Sequence, residues 1–278
     1  MTSERYADIR YEPGRITRVI LNRPTKRNAQ SWRLLREMDR AFTAAMQDDD
    51  CRVIVLSGAG PSFSGGHDLD SPDQVAEREA FDDSAGSFSR AERYRDIYLD
   101  SHLRWRNLTK PTVAMVHGFC VFGGWMIAAA MDVIFAAEDA LFIPVYGDYF
   151  TAPWDVGARK AKEILFENRF MTAAEARDCG FVNRVVPADT LEDAVLTFAA
   201  RVADNEPGLN RTIKFAVNQT QDLMGFSASV RALSPGFDTQ ISRPRSTSPA
   251  DGGAPPRDPL FRDRVRRART YLQQDITP

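Results

Sequence analysis

The sequence predicts an α/β protein, because short apolar segments typical of strands alternate with segments of helical periodicity along most of its 278 residues. Two further observations support this class. A hydrophobic fraction of 43% beside a charged fraction of 27% suits a chain that buries a sizeable core. Glycine-rich stretches also follow two of the predicted strands, which is where an α/β protein is expected to bind its ligand.

The first predicted elements are a hairpin and a helix. The segment from Arg15 to Asn22 (RITRVILN) follows a Pro13-Gly14 turn and predicts the second arm of a hairpin that begins at YADIRY. Ser31 then provides an N-cap for a helix. The apolar residues of that helix fall on one face and are Leu34, Leu35, Met38, Phe42 and Ala45.

Five further strands are predicted at RVIVLSG, TVAMVH, DVIFAA, LFIP and FVNRVV. The second of these opens a run of about twenty residues without a formal charge, a length that can span a membrane. Its β-branched start and the interruptions at Gly118, Gly123 and Gly124 predict a strand, a turn and a helix instead. Capping boxes at Thr172 and Thr190 predict the starts of two later helices.

Two segments differ in composition from the rest. Residues 70 to 109 carry many charges and predict a mobile acidic loop that leads into a helix bearing Phe88, Ala91, Tyr94, Ile97 and Tyr98. Residues 242 to 258, rich in Ser, Pro and Gly, predict a flexible loop. The arginine-rich helix predicted after that loop has either a solvated basic face or a phosphate contact.

The overall composition excludes several classes of function. The balance of 36 basic and 38 acidic side chains offers no broad positive field for a nucleic acid. The three cysteines lack CxxC spacing, and the amino-terminal residues lack the apolar core of a signal peptide, so we expect a cytoplasmic protein with free thiols. The three histidines have no partners at ligand spacing, so no metal site is predicted.

The two glycine-rich stretches carry the functional signal. The first, GAGPSFSGGHDL, follows the strand RVIVLSG, and the second, Phe122-Gly123-Gly124, follows TVAMVH after a short turn. Glycine lets backbone N–H groups face a cleft without a side chain in the way. Two such groups that converge on one carbonyl oxygen form an oxyanion hole.

These stretches lie in four blocks that resemble, in order, the enoyl-CoA hydratase/isomerase or crotonase superfamily. The blocks are LNRPTKRNAQS, VIVLSGAGPSFSGGHDL, KPTVAMVHGFCVFGGWMIAAAMDVIFAAEDALF and MTAAEARDCGFVNRVVP, within roughly residues 15 to 200. The resemblance implies a spiral of ββα turns with two roughly perpendicular sheets over residues 1–188. It also implies a helical region over 189–278 that builds a homotrimer or a dimer of trimers. The associating elements are the final arginine-rich helix and the helices after Thr190, with Leu191, Val195, Phe198 and Val202 on one face.

The resemblance also implies the ligand and the residues that bind it. The ligand is an acyl-CoA thioester, so coenzyme A is part of the substrate and no separate cofactor is expected. The backbone N–H groups of His67 and Gly123 are the implied oxyanion donors. The implied thioester-binding turn comprises Ser64, Gly65, Gly66, His67, Asp68 and Leu69. Arg23 and Lys26 match the family's CoA-facing turn, where their positive charges suit the CoA phosphates.

The sequence departs from the family at both positions of its catalytic glutamates. Met126 occupies the first and Tyr146 the second. Asp148 is the candidate acid or base beside the second position, and the imidazole of His67 is the other. We therefore expect an enzyme that stabilises a thioester enolate, nominally an enoyl-CoA hydratase or isomerase. A hydrolase or decarboxylase on the same fold and a non-catalytic CoA-thioester binding paralogue remain as alternatives.

Overall fold

The computed structural model describes residues 6–69, 71–84, 92–144, 147 and 149–232. Several predicted features lie outside these residues. They are the candidate acid Asp148, the second glutamate position at Tyr146, two apolar positions of the predicted helix at Phe88 and Ala91, the loop 242–258 and the arginine-rich helix.

Nine strands in two sheets form the centre of the described chain. The strands are β1 (Ile9–Glu12), β2 (Ile16–Leu21), β3 (Val53–Gly58), β4 (Thr112–Val116), β5 (Phe119–Val121), β6 (Val133–Ala137), β7 (Leu141–Ile143), β8 (Met171–Thr172) and β9 (Arg184–Val186). The larger sheet has the order β1-β2-β3-β4-β6-β9, and the smaller one β5-β7-β8. The hairpin β1-β2 is antiparallel as predicted, and the remaining neighbours of the larger sheet are parallel.

α-Helices connect and cover these strands in the described residues. They are α1 (Trp32–Gln47), α2 (Pro72–Ser84), α3 (Ser101–Arg106), α4 (Gly123–Ala129), α5 (Ala152–Asp155), α6 (Ala158–Glu167), α7 (Ala173–Asp178), α8 (Leu191–Ala203), α9 (Pro207–Leu223) and α10 (Phe226–Ala232). A π-helical turn at Asp96–Asp100 leads directly into α3. None of the helices in the described ranges is long and apolar enough to cross a membrane.

The larger sheet is covered on both faces, which is why its central strands are apolar throughout. In β3, Ile54 and Leu56 belong to the core cluster that includes the buried face of α1. The alternate residues Val53 and Val55 pack with α8 on the opposite face. The Ser31 side chain caps α1 by accepting the Leu34 N–H, as predicted.

The structure corrects three expectations about the elements. The acidic segment contains helix α2, which the sequence did not reveal because few of its residues are apolar. Strands β5 and β8, of three and two residues, are too short for a periodicity to identify. The apolar face of α8 is buried against the larger sheet, so Leu191 and Val195 contribute to the chain's own core and do not form an associating surface.

Candidate active site

Two loops meet where β3 and β5 end. The loop after β3 forms isolated bridges from Ser64 to Cys120 and from His67 to Gln30. Gly66 in this loop has a φ of +94°, and a Cβ placed there would lie 3.1 Å from the Val121 carbonyl oxygen and 3.5 Å from the Gly123 nitrogen. Glycine at position 66 therefore permits both the backbone conformation and the close approach of the two loops.

The close contact of these two loops also brings two backbone N–H donors near each other. The N–H groups of His67 and Gly123 have no acceptor among the residues that the structure describes. Phe122, directly before Gly123, has φ 52° and ψ −112°, a conformation that is rare for a residue with a side chain. Such strain often occurs at functional sites, and here it sets the direction of the first N–H of α4.

Side chains beneath the loop fix this arrangement. The Ser64 hydroxyl donates to the Asn28 carbonyl oxygen at 2.9 Å. It accepts from Gln30 Nε2 at 3.1 Å and from the Gly66 N–H at 3.3 Å. The Gly65 N–H donates to the Arg27 carbonyl oxygen at 2.8 Å. Ser64 and Gly65 thus hold the loop, and their polar groups are already occupied.

The imidazole of His67 lies against Gly123, since a Cβ on that glycine would be 2.5 Å from His67 Cδ2. Its ring also packs on Tyr98, with the ring centroids 4.5 Å apart. Burial lowers the pKa of His67 to about 4, so the ring is neutral at pH 7 and a weak base. The backbone of His67 is therefore better suited to the site than its imidazole is.

Comparisons with known proteins agree with this geometry. Residues 12–233 match the family model described as enoyl-CoA hydratase/isomerase. The chain belongs to the enoyl-CoA hydratase/isomerase family. It is 41% identical over 244 residues to the putative enoyl-CoA hydratase EchA13 of Mycobacterium tuberculosis, covering 80% of this chain and 77% of that protein. It is 34% identical over 239 residues to the human mitochondrial Delta(3,5)-Delta(2,4)-dienoyl-CoA isomerase, covering 77% and 71%.

Solved structures confirm the crotonase fold. A probable enoyl-CoA hydratase from Mycobacterium smegmatis superimposes with a TM-score of 0.76 at 38% identity, covering 84% of this chain and 93% of that one. An enoyl-CoA hydratase/isomerase from Xanthobacter autotrophicus Py2 gives 0.76 at 32% identity, covering 86% and 88%. The predicted fold is confirmed, as is the expectation of a hydratase/isomerase family enzyme. The roles of individual residues and the replacement of the family's glutamates stay predictions.

The structure gives the two cations of the implied CoA-facing turn different surroundings. Arg23 is buried and its Nη2 pairs with Asp68 Oδ2 at 2.7 Å, while Nη1 donates to the Ala29 carbonyl oxygen. Its guanidinium therefore does not face solvent as a phosphate contact requires. Lys26 is exposed and keeps that role as a prediction. Leu69, at the end of the predicted thioester-binding turn, has 61% of its surface exposed.

Asp68 braces the turn from within. Burial alone would raise its pKa, but hydrogen bonds from Ser71 and the charge of Arg23 outweigh that effect and hold the pKa below its usual value. The Ser71 hydroxyl donates to Asp68 Oδ2 at 2.6 Å and the Ser71 N–H to Oδ1 at 3.0 Å. An ionised Asp68 with occupied oxygens is a structural partner of the loop and a poor proton donor.

Met126, which we predicted to occupy the position of the first family glutamate, is fully buried in the first turn of α4. The preceding Trp125 stacks on Phe181, with ring centroids 3.6 Å apart, and its Nε1 donates to Asp155 Oδ2 at 3.0 Å. The Thr151 hydroxyl donates to the same oxygen. Burial raises the pKa of Asp155 to about 7, and the two hydrogen bonds moderate that rise.

Asp155 is a residue that the sequence analysis missed as a site candidate. It is the last residue of α5, and α6 begins at Ala158. Its chemistry depends on Trp125, thirty residues earlier in the chain, and no local pattern signals that contact. A carboxyl group that titrates near neutral pH exchanges protons easily in both directions.

Two further polar side chains are buried close to this region. His102, in α3, stacks on Tyr149 with ring centroids 5.3 Å apart and lies 4.7 Å from the ring of Trp105. Asp155 contributes to the raised pKa of Tyr149, although burial is the larger cause. Within the described ranges, no group of three histidine, cysteine or acidic residues is arranged to hold a metal ion.

Proposed function

We propose that this protein binds an acyl-CoA thioester with its carbonyl oxygen between the N–H groups of His67 and Gly123, and stabilises the enolate of the acyl group. The observation that carries the proposal is the pair of backbone donors without acceptors among the described residues. Donors that already point at the position of a developing negative charge lower the barrier to forming it, typically by about 3 to 4 kcal/mol for each donor.

We assign proton transfer in this reaction to Asp155. Its carboxyl group, hydrogen-bonded to the residue before Met126, has a pKa of about 7. Below that pH it donates a proton, and above it the carboxylate accepts one. His67 is a weaker candidate because its imidazole has a pKa of about 4. Asp148 remains the alternative predicted from the sequence.

The CoA portion of the ligand is expected to extend over the exposed turn that carries Lys26. A 3₁₀ turn at Pro24–Lys26 holds this residue, and Arg27 next to it is also exposed. Their ammonium and guanidinium groups suit the phosphates of CoA. We further propose assembly into a trimer or a dimer of trimers, to which α9 contributes exposed apolar side chains such as Ile213 and Val217.

Binding is tested by thermal unfolding in the presence of acyl-CoA thioesters of several chain lengths. Each thioester is compared with the corresponding free acid at the same concentration. A site that recognises CoA raises the melting temperature in proportion to the logarithm of thioester concentration, and the free acid has a far smaller effect. Equal shifts for the thioester and the acid would contradict a CoA site.

Catalysis is tested by exchange of the acyl α-protons with D₂O, followed by NMR, because removal of an α-proton from a saturated acyl-CoA forms the enolate and its reprotonation from the solvent introduces deuterium. We expect Asp155→Asn to slow the exchange by about a hundredfold to ten-thousandfold, the usual contribution of one acid or base. Asp49→Asn, a change at an exposed carboxylate, is the matched control. Asp148→Asn in the same series tests the alternative.

The outcomes separate the remaining functions. If exchange is rapid in Asp155→Asn and lost in Asp148→Asn, the proton-transfer role belongs to Asp148. If several thioesters bind and none exchanges its α-protons, releases CoA or loses CO₂, the protein is a CoA-thioester binding paralogue. Release of free CoA or of CO₂ from a bound thioester would indicate a hydrolase or a decarboxylase.

A further inference from the structure

A group of buried polar atoms near the oxyanion donors has no partner among the described residues. These atoms are Nε2 of His67, Nε2 of His102, the hydroxyl of Tyr149 and Oε1 of Gln30. A buried polar group without a hydrogen bond is costly, so in the folded protein each of these atoms is completed by an ordered water molecule or by a ligand. Their presence points to a ligand with polar atoms of its own.

The unpaired atoms are connected to the oxyanion donors through direct contacts. The His67 ring touches Gly123 and packs on Tyr98. His102 lies four residues after Tyr98 in the same helical segment. Its side chain is therefore one turn further along, on the same side of the helix. His102 in turn stacks on Tyr149. We name the region of His67, Tyr98, His102 and Tyr149 the aromatic chamber.

The tautomer of His102 follows from its neighbour. The Ser101 hydroxyl donates its single hydrogen to the Ile97 carbonyl oxygen at 2.6 Å. The contact of 3.1 Å between Ser101 Oγ and His102 Nδ1 therefore requires the hydrogen to be on Nδ1. Nε2 is then left with a lone pair, so it is an acceptor that needs a donor from the ligand.

Acid–base chemistry does not suit this nitrogen. Burial lowers the pKa of His102 well below its usual value, and the neighbouring His67 and Arg104 lower it further. A group that binds a proton so weakly is a poor general base, but its lone pair still accepts a hydrogen bond. Tyr149 is the complement, because its buried hydroxyl can donate.

We propose that His102 and Tyr149 determine substrate specificity by binding a hydroxyl group of the acyl chain. The hydroxyl of the ligand donates to His102 Nε2, and its oxygen, or a second oxygen beside it, accepts from the Tyr149 hydroxyl. The substrate class is a hydroxylated acyl thioester whose remaining carbon atoms contact the aromatic rings of the chamber. This inference rests on the proposed function, since the thioester is what brings the acyl chain to these residues.

The test compares matched ligands that differ by one oxygen atom. The affinities of hexanoyl- and dodecanoyl-CoA are measured by isothermal titration calorimetry beside their derivatives hydroxylated at C4 or C5, in both configurations, because a hydroxyl at C3 is already the product of enoyl-CoA hydration. In the unmodified protein we expect at least one hydroxylated ligand to bind roughly fivefold to a hundredfold more tightly than its parent, which is the effect of pairing buried hydrogen-bonding groups.

Two variants and one control then assign that preference. Tyr149→Phe removes only the hydroxyl, and His102→Leu removes the acceptor. In each variant, the ratio of the affinity for the hydroxylated ligand to the affinity for its parent should fall toward one. Tyr11→Phe, which removes a tyrosine hydroxyl on β1, should leave the preference intact. A purely structural role of His102 or Tyr149 would weaken both members of a ligand pair alike and leave their ratio unchanged, and that result would overturn the proposal.

The other outcomes are equally distinct. If the unmodified protein binds the parent thioesters and shows no preference for any hydroxylated form, this inference is wrong while the proposed function stands. The same conclusion follows if both variants retain the preference. If the protein binds none of the thioesters, the proposed function itself fails and the inference fails with it.

Discussion

Replacing Asp155 by asparagine should make the protein more stable at neutral and alkaline pH, although it removes the proposed proton-transfer group. The Asp155 side chain is half-buried, and its Oδ2 accepts hydrogen bonds from Trp125 and Thr151. The amide oxygen of asparagine can accept the same two bonds. The substitution therefore keeps the contacts and removes only the ionisation of a group that is poorly solvated in the folded state.

The magnitude follows from the pKa of Asp155, which is about 7 in the folded protein against 3.8 for an unperturbed aspartate. Because the folded-state value is raised, the folded protein holds the proton more tightly than the unfolded chain does. Relative to the asparagine variant, the free energy of unfolding of the unmodified protein is therefore highest below pH 4. It falls by about 1.4 kcal/mol for each pH unit between pH 4 and pH 7. The total loss is about 4 kcal/mol above pH 7, as an upper bound.

The measurement is urea unfolding of the unmodified protein and of Asp155→Asn between pH 4 and pH 9, at one fixed protein concentration. The difference in free energy of unfolding should widen with pH up to about 7 and then stay constant. Asp49→Asn, at an exposed position, should show no comparable trend. A difference between Asp155→Asn and the unmodified protein that is independent of pH would refute the raised pKa and, with it, the assignment of Asp155 to proton transfer near neutrality.

Three further predictions concern the site and the assembly. Gly123→Ala should lower α-proton exchange by at least a hundredfold, because its Cβ would lie 2.5 Å from both Gln30 Oε1 and His67 Cδ2. Gly65→Ala, whose Cβ would lie no closer than 3.4 Å to its neighbours, should cost far less. Hydration of crotonyl-CoA, followed by the loss of its ultraviolet absorbance, should be about a hundredfold to ten-thousandfold slower than in a family member with both glutamates, and a comparable rate would contradict the replacement at Met126. Light scattering should give three or six subunits, and Ile213→Glu with Val217→Glu should reduce that number because both side chains, 53% and 56% exposed, would carry charge into the interface.

The fold was predictable because the central strands are buried on both faces and therefore consist of consecutive apolar residues. The segment RVIVLSG is apolar on both alternate faces, as a strand covered by α1 and α8 must be. Strand β8, with two residues, is too short to show such a run of apolar residues. Its pairing with β7 joins residues that are distant in the sequence. Helix α8 shows another limit, since its amphipathic pattern indicates a buried face without indicating whether the covering surface belongs to the same chain.

The candidate site likewise contains residues that the sequence indicated and residues that it did not. The glycine-rich stretches after two strands are visible in the sequence, and the resemblance to the family assigned the donors within them to His67 and Gly123, a role that stays a prediction. Asp155, His102 and Tyr149 were not predictable, because their properties come from burial and from partners elsewhere in the chain. Arg23 shows the opposite error, since its charge suggested a phosphate contact while the structure pairs it with Asp68.

Backbone donors and side chains contribute differently to what the fold can catalyse. Glycine and backbone geometry supply the oxyanion donors, so they do not depend on which side chains surround the acyl group. The side chains around them set where a proton moves and which acyl group fits. Here, within the described residues, a carboxyl group with a pKa of about 7 bonds to Trp125 in α4, and the charge of that carboxyl group contributes to the raised pKa of Tyr149, which stacks on the neutral imidazole of His102. The imidazole of His67, also neutral, lies against the Gly123 donor. Because the imidazoles stay neutral across the range in which Asp155 titrates, the pH profile of α-proton exchange should follow one ionisation near neutrality, and the two imidazoles should affect which substrate binds without affecting that profile.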